Sequence, residues 1–284
     1  MSNQVSRPLS MRDALFEEPG PRTQQKIRLA TGIGAVLVAA LLILVVHQFW
    51  ITGQLDPQYW SFFAEASTWI YLGSGFVGTL TVALTAAVIA LMVSLLLMLG
   101  RISGIRPLAF VCRVITDFLR AIPSLLFIYF FFLVVPQYGI KVPSFWMITM
   151  PVALVASGVL AEVLRAGVNA VPRGQKEAAL SLGMKPFRAT ILIVVPQAIR
   201  YVIPSLISQL VVVVKDTTLA YVVSYPDLLQ NARVLITNYD ALVSTYLVAA
   251  VIYILLNFAI NQLAVSVSRR TNTTRVDRMN TNPA

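Results

Sequence analysis

Residues 199–223 read IRYVIPSLISQLVVVVKDTTLAYVV. A helix needs about 20 mostly apolar residues to cross roughly 30 Å of hydrocarbon, and this stretch is long enough but carries Arg200, Lys215 and Asp216. Its own hydropathy does not decide it; its neighbours do. Uncharged runs at 29–55, 66–100, 121–140, 142–161 and 241–268 predict five further spans, with Pro136, Gly139 and Pro143 marking the turn between the third and fourth. If the N-terminus lies inside the cell, 17 of the 22 Lys and Arg residues fall in inside segments. Only Lys141 and Arg233 lie outside, and Arg113, Arg120 and Lys215 are left within helices. That asymmetry is the one expected of cytoplasmic loops. It holds only if the chain crosses between Arg200 and Arg233, so residues 199–223 are predicted to span. The fold class is an all-α integral membrane protein of six transmembrane helices, multi-pass, with both termini cytoplasmic.

Composition agrees. Of 284 residues, 57% are hydrophobic and 12% charged, and the mean hydropathy is +0.77. Soluble domains carry about twice that share of charge. The net charge of +10 follows from the topology and from anionic lipid at the inner face, so membrane lipid is the expected partner and nucleic acid is not. One cysteine, Cys112, forms no internal bridge, and one histidine, His47, removes most zinc sites and any catalytic triad needing a second imidazole. Both are read as packing or interface residues. No Gly-x-Ser-Gly or Gly-x-Gly-Asp string supports an intramembrane protease, so no catalytic residue, metal site or cofactor is assigned to the chain. Residues 1–27 are read as a cytoplasmic tail, 28–51 as an additional N-terminal span, and 52–75 as an external interfacial segment. The last is rich in aromatics: Tyr59, Trp60, Phe62, Phe63, Trp69 and Tyr71. Residues 269–284 form a second cytoplasmic tail.

The segment from Arg165 to Arg200 is the most informative about function. Pro172 and Pro186 bound a stretch whose helix, ending near Gly183, has fewer than three turns. A helix that short is marginal in water without a partner surface. Ala178, Ala179 and Leu182 fall on one narrow apolar face, with Lys176 and Glu177 beside it. Gly183 permits a turn that other residues resist.

At membrane depth, Arg113, Asp117 and Arg120 are four and three apart and share a helical face. They read as a pairing cluster, with Arg120 also a candidate to steer an anionic solute. Glu162 and Arg165 read as an inner-surface pair. Lys215 and Asp216, about 100° apart on a helix, face a partner subunit or a pathway; with Thr217 and Thr218 they are the remaining substrate-path candidates. Asn257, Asn261 and Gln262 are spaced for hydrogen bonds between helices. Pro196 and Pro204 are read as kinks.

Glu177-Ala178-Ala179, Gly183 and Ile193-Val194-Val195-Pro196 together resemble the EAA signature of permease subunits of bacterial ABC importers, with Val195 where leucine is usual. Lys215-Asp216-Thr217-Thr218-Leu219-Ala220 is similar to the corresponding segment of the polar amino-acid permeases. Phe76-Val77-Gly78-Thr79-Leu80-Thr81 resembles the start of their first core helix, and Phe118-Leu119-Arg120-Ala121-Ile122-Pro123 their Arg-x-x-Pro segment. The resemblance covers residues 73–267. It is nearest to actinobacterial glutamate-importer permeases, which share the additional first span and an opening like Leu15-Phe16-Glu17-Glu18-Pro19-Gly20-Pro21.

The resemblance implies a permease core at 76–268 with a coupling helix at 174–185, where Glu177, Ala178, Ala179, Leu182 and Gly183 meet an ATPase subunit. It implies a second permease, identical or homologous, and an extracytoplasmic binding protein that delivers glutamate or a related polar amino acid. ATP and magnesium belong to the ATPase, since this chain has no Gly-Lys-Ser or Gly-Lys-Thr phosphate loop. The alternative is a stand-alone secondary transporter or channel, which leaves the proline-bounded segment unexplained.

Overall fold

The computed structural model describes residues 20–280, without the side chains of Ala264 and of residues 267–280. The opening motif at 15–19, most of the N-terminal tail and the arginines of the C-terminal tail lie outside the described residues or side chains. The chain divides into two units, Met1–Pro57 and Gln58–Ala284. The first holds α1, Pro21–Ile51, whose opening Pro21 supplies a preset helical φ. No residue of α1 is buried.

In the second unit the described regular structure is helical throughout. It runs α2 Ala66–Ile102, α3 Arg106–Ala121, α4 Ser124–Tyr138, α5 Ser144–Ala170, α6 Arg173–Ser181, α7 Pro186–Val223, α8 Leu228–Tyr239 and α9 Leu242–Asn280. Together with α1, four of these (α2, α5, α7 and the 242–263 part of α9) are long and apolar enough to cross a membrane; α3 and α4 meet that length and apolarity only together, as a pair bent by 98°. The all-helical architecture with up to six spans therefore stands, with one revision. The third passage is a broken pair: the uncharged run at 121–140 is only its second arm. Within 52–75 there are 3₁₀ turns at Pro57–Tyr59 and Ser61–Ala64, and α2 starts at Ala66. Among the aromatics of this segment Phe62 is buried and Trp69 is exposed. Phe62 stacks on Tyr239 at 4.4 Å, and the Trp69 indole donates to the Phe63 carbonyl at 2.7 Å.

The core forms where α2, α5 and α7 meet. Val82, Ala83, Ala86 and Ala90 of α2 lie against Val152, Ala153, Ala156 and Leu160 of α5 and Val213 and Val214 of α7. Small side chains let helix backbones approach closely, and in lipid that packing is a main driving force for association. Asn257 donates to the Tyr253 carbonyl of its own helix at 2.8 Å, and Asn261 and Gln262 are exposed, so this expected inter-helix set is not formed by them.

Prolines interrupt two of these helices in the same way. A π-helical turn at Phe130–Val134 precedes Pro136, and another at Thr190–Val194 precedes Pro196. Proline supplies no N–H. In each case the following glutamine helps to close the ladder: Gln137 donates its side-chain amide to the Leu133 carbonyl at 2.9 Å, and Gln197 to that of Ile193 at 3.0 Å.

The short helix α8 is locked onto α2. Asp227 caps it, accepting from the Gln230 N–H at 2.8 Å. Asn231 donates to the Tyr71 carbonyl at 2.8 Å, and Thr79 accepts the Leu228 N–H at 3.1 Å. Asp227 is fully buried. Burial pushes its carboxyl up to about 6, partly held back by the N–H groups of Gln230 and Leu229 and by the Tyr253 hydroxyl. The folded chain therefore keeps this proton at pH values where the unfolded chain, near 3.8, has lost it. Stability should fall as pH rises from about 4 through about 6 and then level off. Between pH 5 and 7.5 the loss expected from Asp227 is about 1.4 kcal/mol. Asp227→Asn retains the cap and should remove that slope, as read by thermal unfolding in detergent at the two pH values.

Candidate functional site

Two regions carry chemistry that packing alone does not use. The first is α6 with its flanks. Pro172 precedes it, and the Gln175 N–H reaches the Pro172 carbonyl at 3.0 Å. Gly183, at φ +80°, ends it. The Gly183 N–H bonds to the Leu180 carbonyl at 2.9 Å and the Met184 N–H to that of Ala179 at 3.1 Å. This is the double closure of a Schellman cap. The helix thus stops at Ser181, short of the 174–185 expected, and Lys185 already belongs to the entry of α7.

Glu177, Ala178 and Leu182 are exposed, Leu182 at 85%, while Ala179 is buried. The apolar face expected of Ala178, Ala179 and Leu182 is therefore divided: Ala179 faces the chain's own bundle and the other two do not. Helix α6 rests on the π-helical turn of α7, and Gln197 donates to the Gln175 side chain at 3.3 Å. Nearby, Glu162 is bound by two arginines, Arg165 on its own helix and Arg101 from the end of α2 at 2.7 Å. The spacing of three joins Glu162 with Arg165; Arg101 lies 61 residues away in the chain, and no local spacing points to it.

The second region is where two helix breaks meet. Ser124, the first residue after the Pro123 break, donates to the Asp216 carboxylate at 3.0 Å. Lys215 is exposed, and among the described residues its ammonium has no hydrogen-bond or ion-pair partner. The Thr217 and Thr218 hydroxyls bond to the Val214 and Lys215 carbonyls of their own helix at 2.7 and 2.6 Å. The expected cluster on α3 forms only in part: Arg113 meets Asp117 at 3.7 Å, while Arg120 lies with its stem against Gly158. Ser124 was missed, although a serine directly after a helix-breaking proline is a visible signal.

Residues 97–273 match the family described as the inner membrane component of binding-protein-dependent transport systems. The chain belongs to this family. The permease is 39% identical to the glutamate transport system permease protein GluD of Corynebacterium glutamicum over 227 residues, 77% of this chain and 81% of the relative. It is 31% identical to the probable glutamine ABC transporter permease protein GlnP of Bacillus subtilis, over 68% of this chain and 90% of that one. Among solved structures it is similar to a chain of an amino acid ABC transporter crystallised with histidines, with a TM-score of 0.69 and 28% identity, covering 74% of this chain and 98% of that one. A MetNI methionine transporter chain, at 16% identity and a TM-score of 0.62, shares the fold over 73% of this chain and 99% of its own. The permease is thus membrane-embedded and built like the translocating subunits of ABC importers.

Proposed function

We propose that the permease forms half of the translocation path of an ATP-driven importer for glutamate or a closely related polar amino acid, and that α6 passes the ATPase cycle to that path. A second permease, identical or homologous, completes the path, and an extracytoplasmic binding protein supplies the solute. Both termini and α6 lie on the cytoplasmic side. ATP and magnesium act in the separate ATPase. The single observation that carries this reading is α6 itself: a short helix between Pro172 and the Gly183 cap, seated on α7, with Glu177, Ala178 and Leu182 exposed.

ATP can drive the path only if its two end states bind the nucleotide-closed ATPase differently. The contact through which that difference acts has to keep its shape, and the left-handed Gly183 fixes the end of α6. Along the path, the unpaired Lys215 ammonium supplies a site for a solute carboxylate and Asp216 one for its ammonium, with Arg120 a further cation. The Thr217 and Thr218 hydroxyls, already bonded within α7, have a supporting place in this scheme.

The test is reconstitution with the ATPase and binding protein. Gly183→Val, or Glu177→Lys, should leave the permease inserted while lowering solute uptake and solute-stimulated ATP hydrolysis at least tenfold. Normal stimulation in the Gly183 variant would overturn the coupling role, and uptake that persists without the ATPase would favour a stand-alone transporter. In cells lacking and regaining the gene, a radiolabelled amino-acid panel should single out glutamate; preference for a basic amino acid would overturn the substrate.

A further inference from the structure

We infer that α3 is an anionic-phospholipid binding helix, with Arg106 and Arg113 as its headgroup ligands. The helix has three faces. Cys112, Thr116 and Leu119 are buried, the first against Gly100 of α2 and the last against Gly158 of α5. Arg106, Arg113 and Arg120 recur every seven residues, which on a straight helix is a drift of only about 20° per step, so they form one stripe. All three are exposed. Asp117, in the same stripe, is the sole acid on α3, and at 3.7 Å from Arg113, with both side chains more than half exposed, it offsets one charge and leaves the stripe cationic. The third face, between the stripe and the buried side, presents Val111, Val114, Ile115 and Phe118, all exposed.

A basic stripe beside a broad apolar face is the pattern of a helix lying in the membrane interface. The 98° bend between α3 and the apolar α4 supplies the orientation. If α4 runs along the membrane normal, α3 lies near the membrane plane, apolar face towards acyl chains and the Arg106 and Arg113 heads at phosphate level, while Arg120, its stem against Gly158, ends the stripe at the bundle. A guanidinium fork fits a phosphate in two-pronged fashion. The inference needs only that the chain is membrane-embedded, so its test is read without transport.

The full-length permease would be purified from membranes, exchanged into nanodiscs of mixed phosphatidylglycerol and phosphatidylcholine, and its tightly held lipid counted by native mass spectrometry. Each arginine near an anionic surface is worth roughly a factor of five in partition. Arg106→Gln/Arg113→Gln should therefore retain at least fivefold less phosphatidylglycerol, with phosphatidylcholine unchanged. Asp117→Asn, which removes only the counter-charge, should retain more and gives an independent reading should the double variant fold poorly. Equal retention in the double variant, or no rise in Asp117→Asn, would overturn the assignment. So would displacement of the lipid by millimolar inorganic phosphate, which marks a free-phosphate site, or loss of a co-purifying protein with lipid retention intact.

Discussion

Valine at position 78 is expected to leave little folded permease. Gly78 faces the Pro226 carbonyl so closely that even a methyl group there would occupy the oxygen's place. One turn earlier, a methyl on Gly75 would lie 2.7 Å from the Asp227 carbonyl and 2.8 Å from the Asn231 amide. The obstruction is backbone, which gives way only by moving α8. Moving α8 breaks the Leu228-to-Thr79 and Asn231-to-Tyr71 hydrogen bonds. Overpacking alone costs typically about 1–3 kcal/mol, and each buried donor left without a partner adds about 1–3 kcal/mol. Since whole domains are stable by only about 5–15 kcal/mol, Gly78→Val should collapse the monodisperse peak in size-exclusion chromatography of detergent-solubilised protein. Thr79→Val, which removes only the acceptor, should show a smaller loss of thermal stability. A Gly78→Val protein with wild-type melting would show that α2 and α8 do not meet as described.

Removing the Glu162 carboxylate is the second large effect. Arg101 keeps only 11% of its side chain exposed and has Glu162 as its ion-pair partner. Glu162→Ala would leave that cation poorly solvated and remove the partner of Arg165 as well. Breaking a fully buried pair costs about 3–5 kcal/mol. The carboxylate here is partly exposed, at 28%, so about 2 kcal/mol is expected after allowance for screening. The double variant Arg101→Met/Glu162→Met should be more stable than Glu162→Ala, because neither charge is then stranded; thermal inactivation followed by fluorescence in detergent checks both. Equal melting of Glu162→Ala and wild type would reduce the cluster to a surface pair.

The span count was readable from charge and length, because crossing hydrocarbon imposes both. The proline- and glycine-bounded α6 was readable for a similar local reason: Pro172 and Gly183 act on their own backbone. What local reading missed depends on contacts far apart in sequence. The shared helical face of Arg113, Asp117 and Arg120 was readable from their spacing, but the 98° break that makes α3 a separate helix was not, although Pro123 and the recurrence of arginine every seven residues from Arg106 were in view. Helix α8 is too short to register as a span, yet Asp227 followed by Leu228, Ala232 and Leu235 is a capped amphipathic turn. The meeting of Ser124 with Asp216 and of Arg101 with Glu162 joins residues 92 and 61 apart, and no periodicity announces either.

The π-helical turn at the foot of α7 bears directly on how strain would travel. It is the place where α6 leans on the bundle and where Gln197 is shared between the Ile193 carbonyl and Gln175. A thrust delivered through α6 would therefore enter α7, the helix that carries Asp216, at that turn. Because the Gln197 side-chain amide covers the Ile193 carbonyl beside the proline break, that turn can flex while this carbonyl stays sheltered from lipid, as a knuckle bends without breaking the skin.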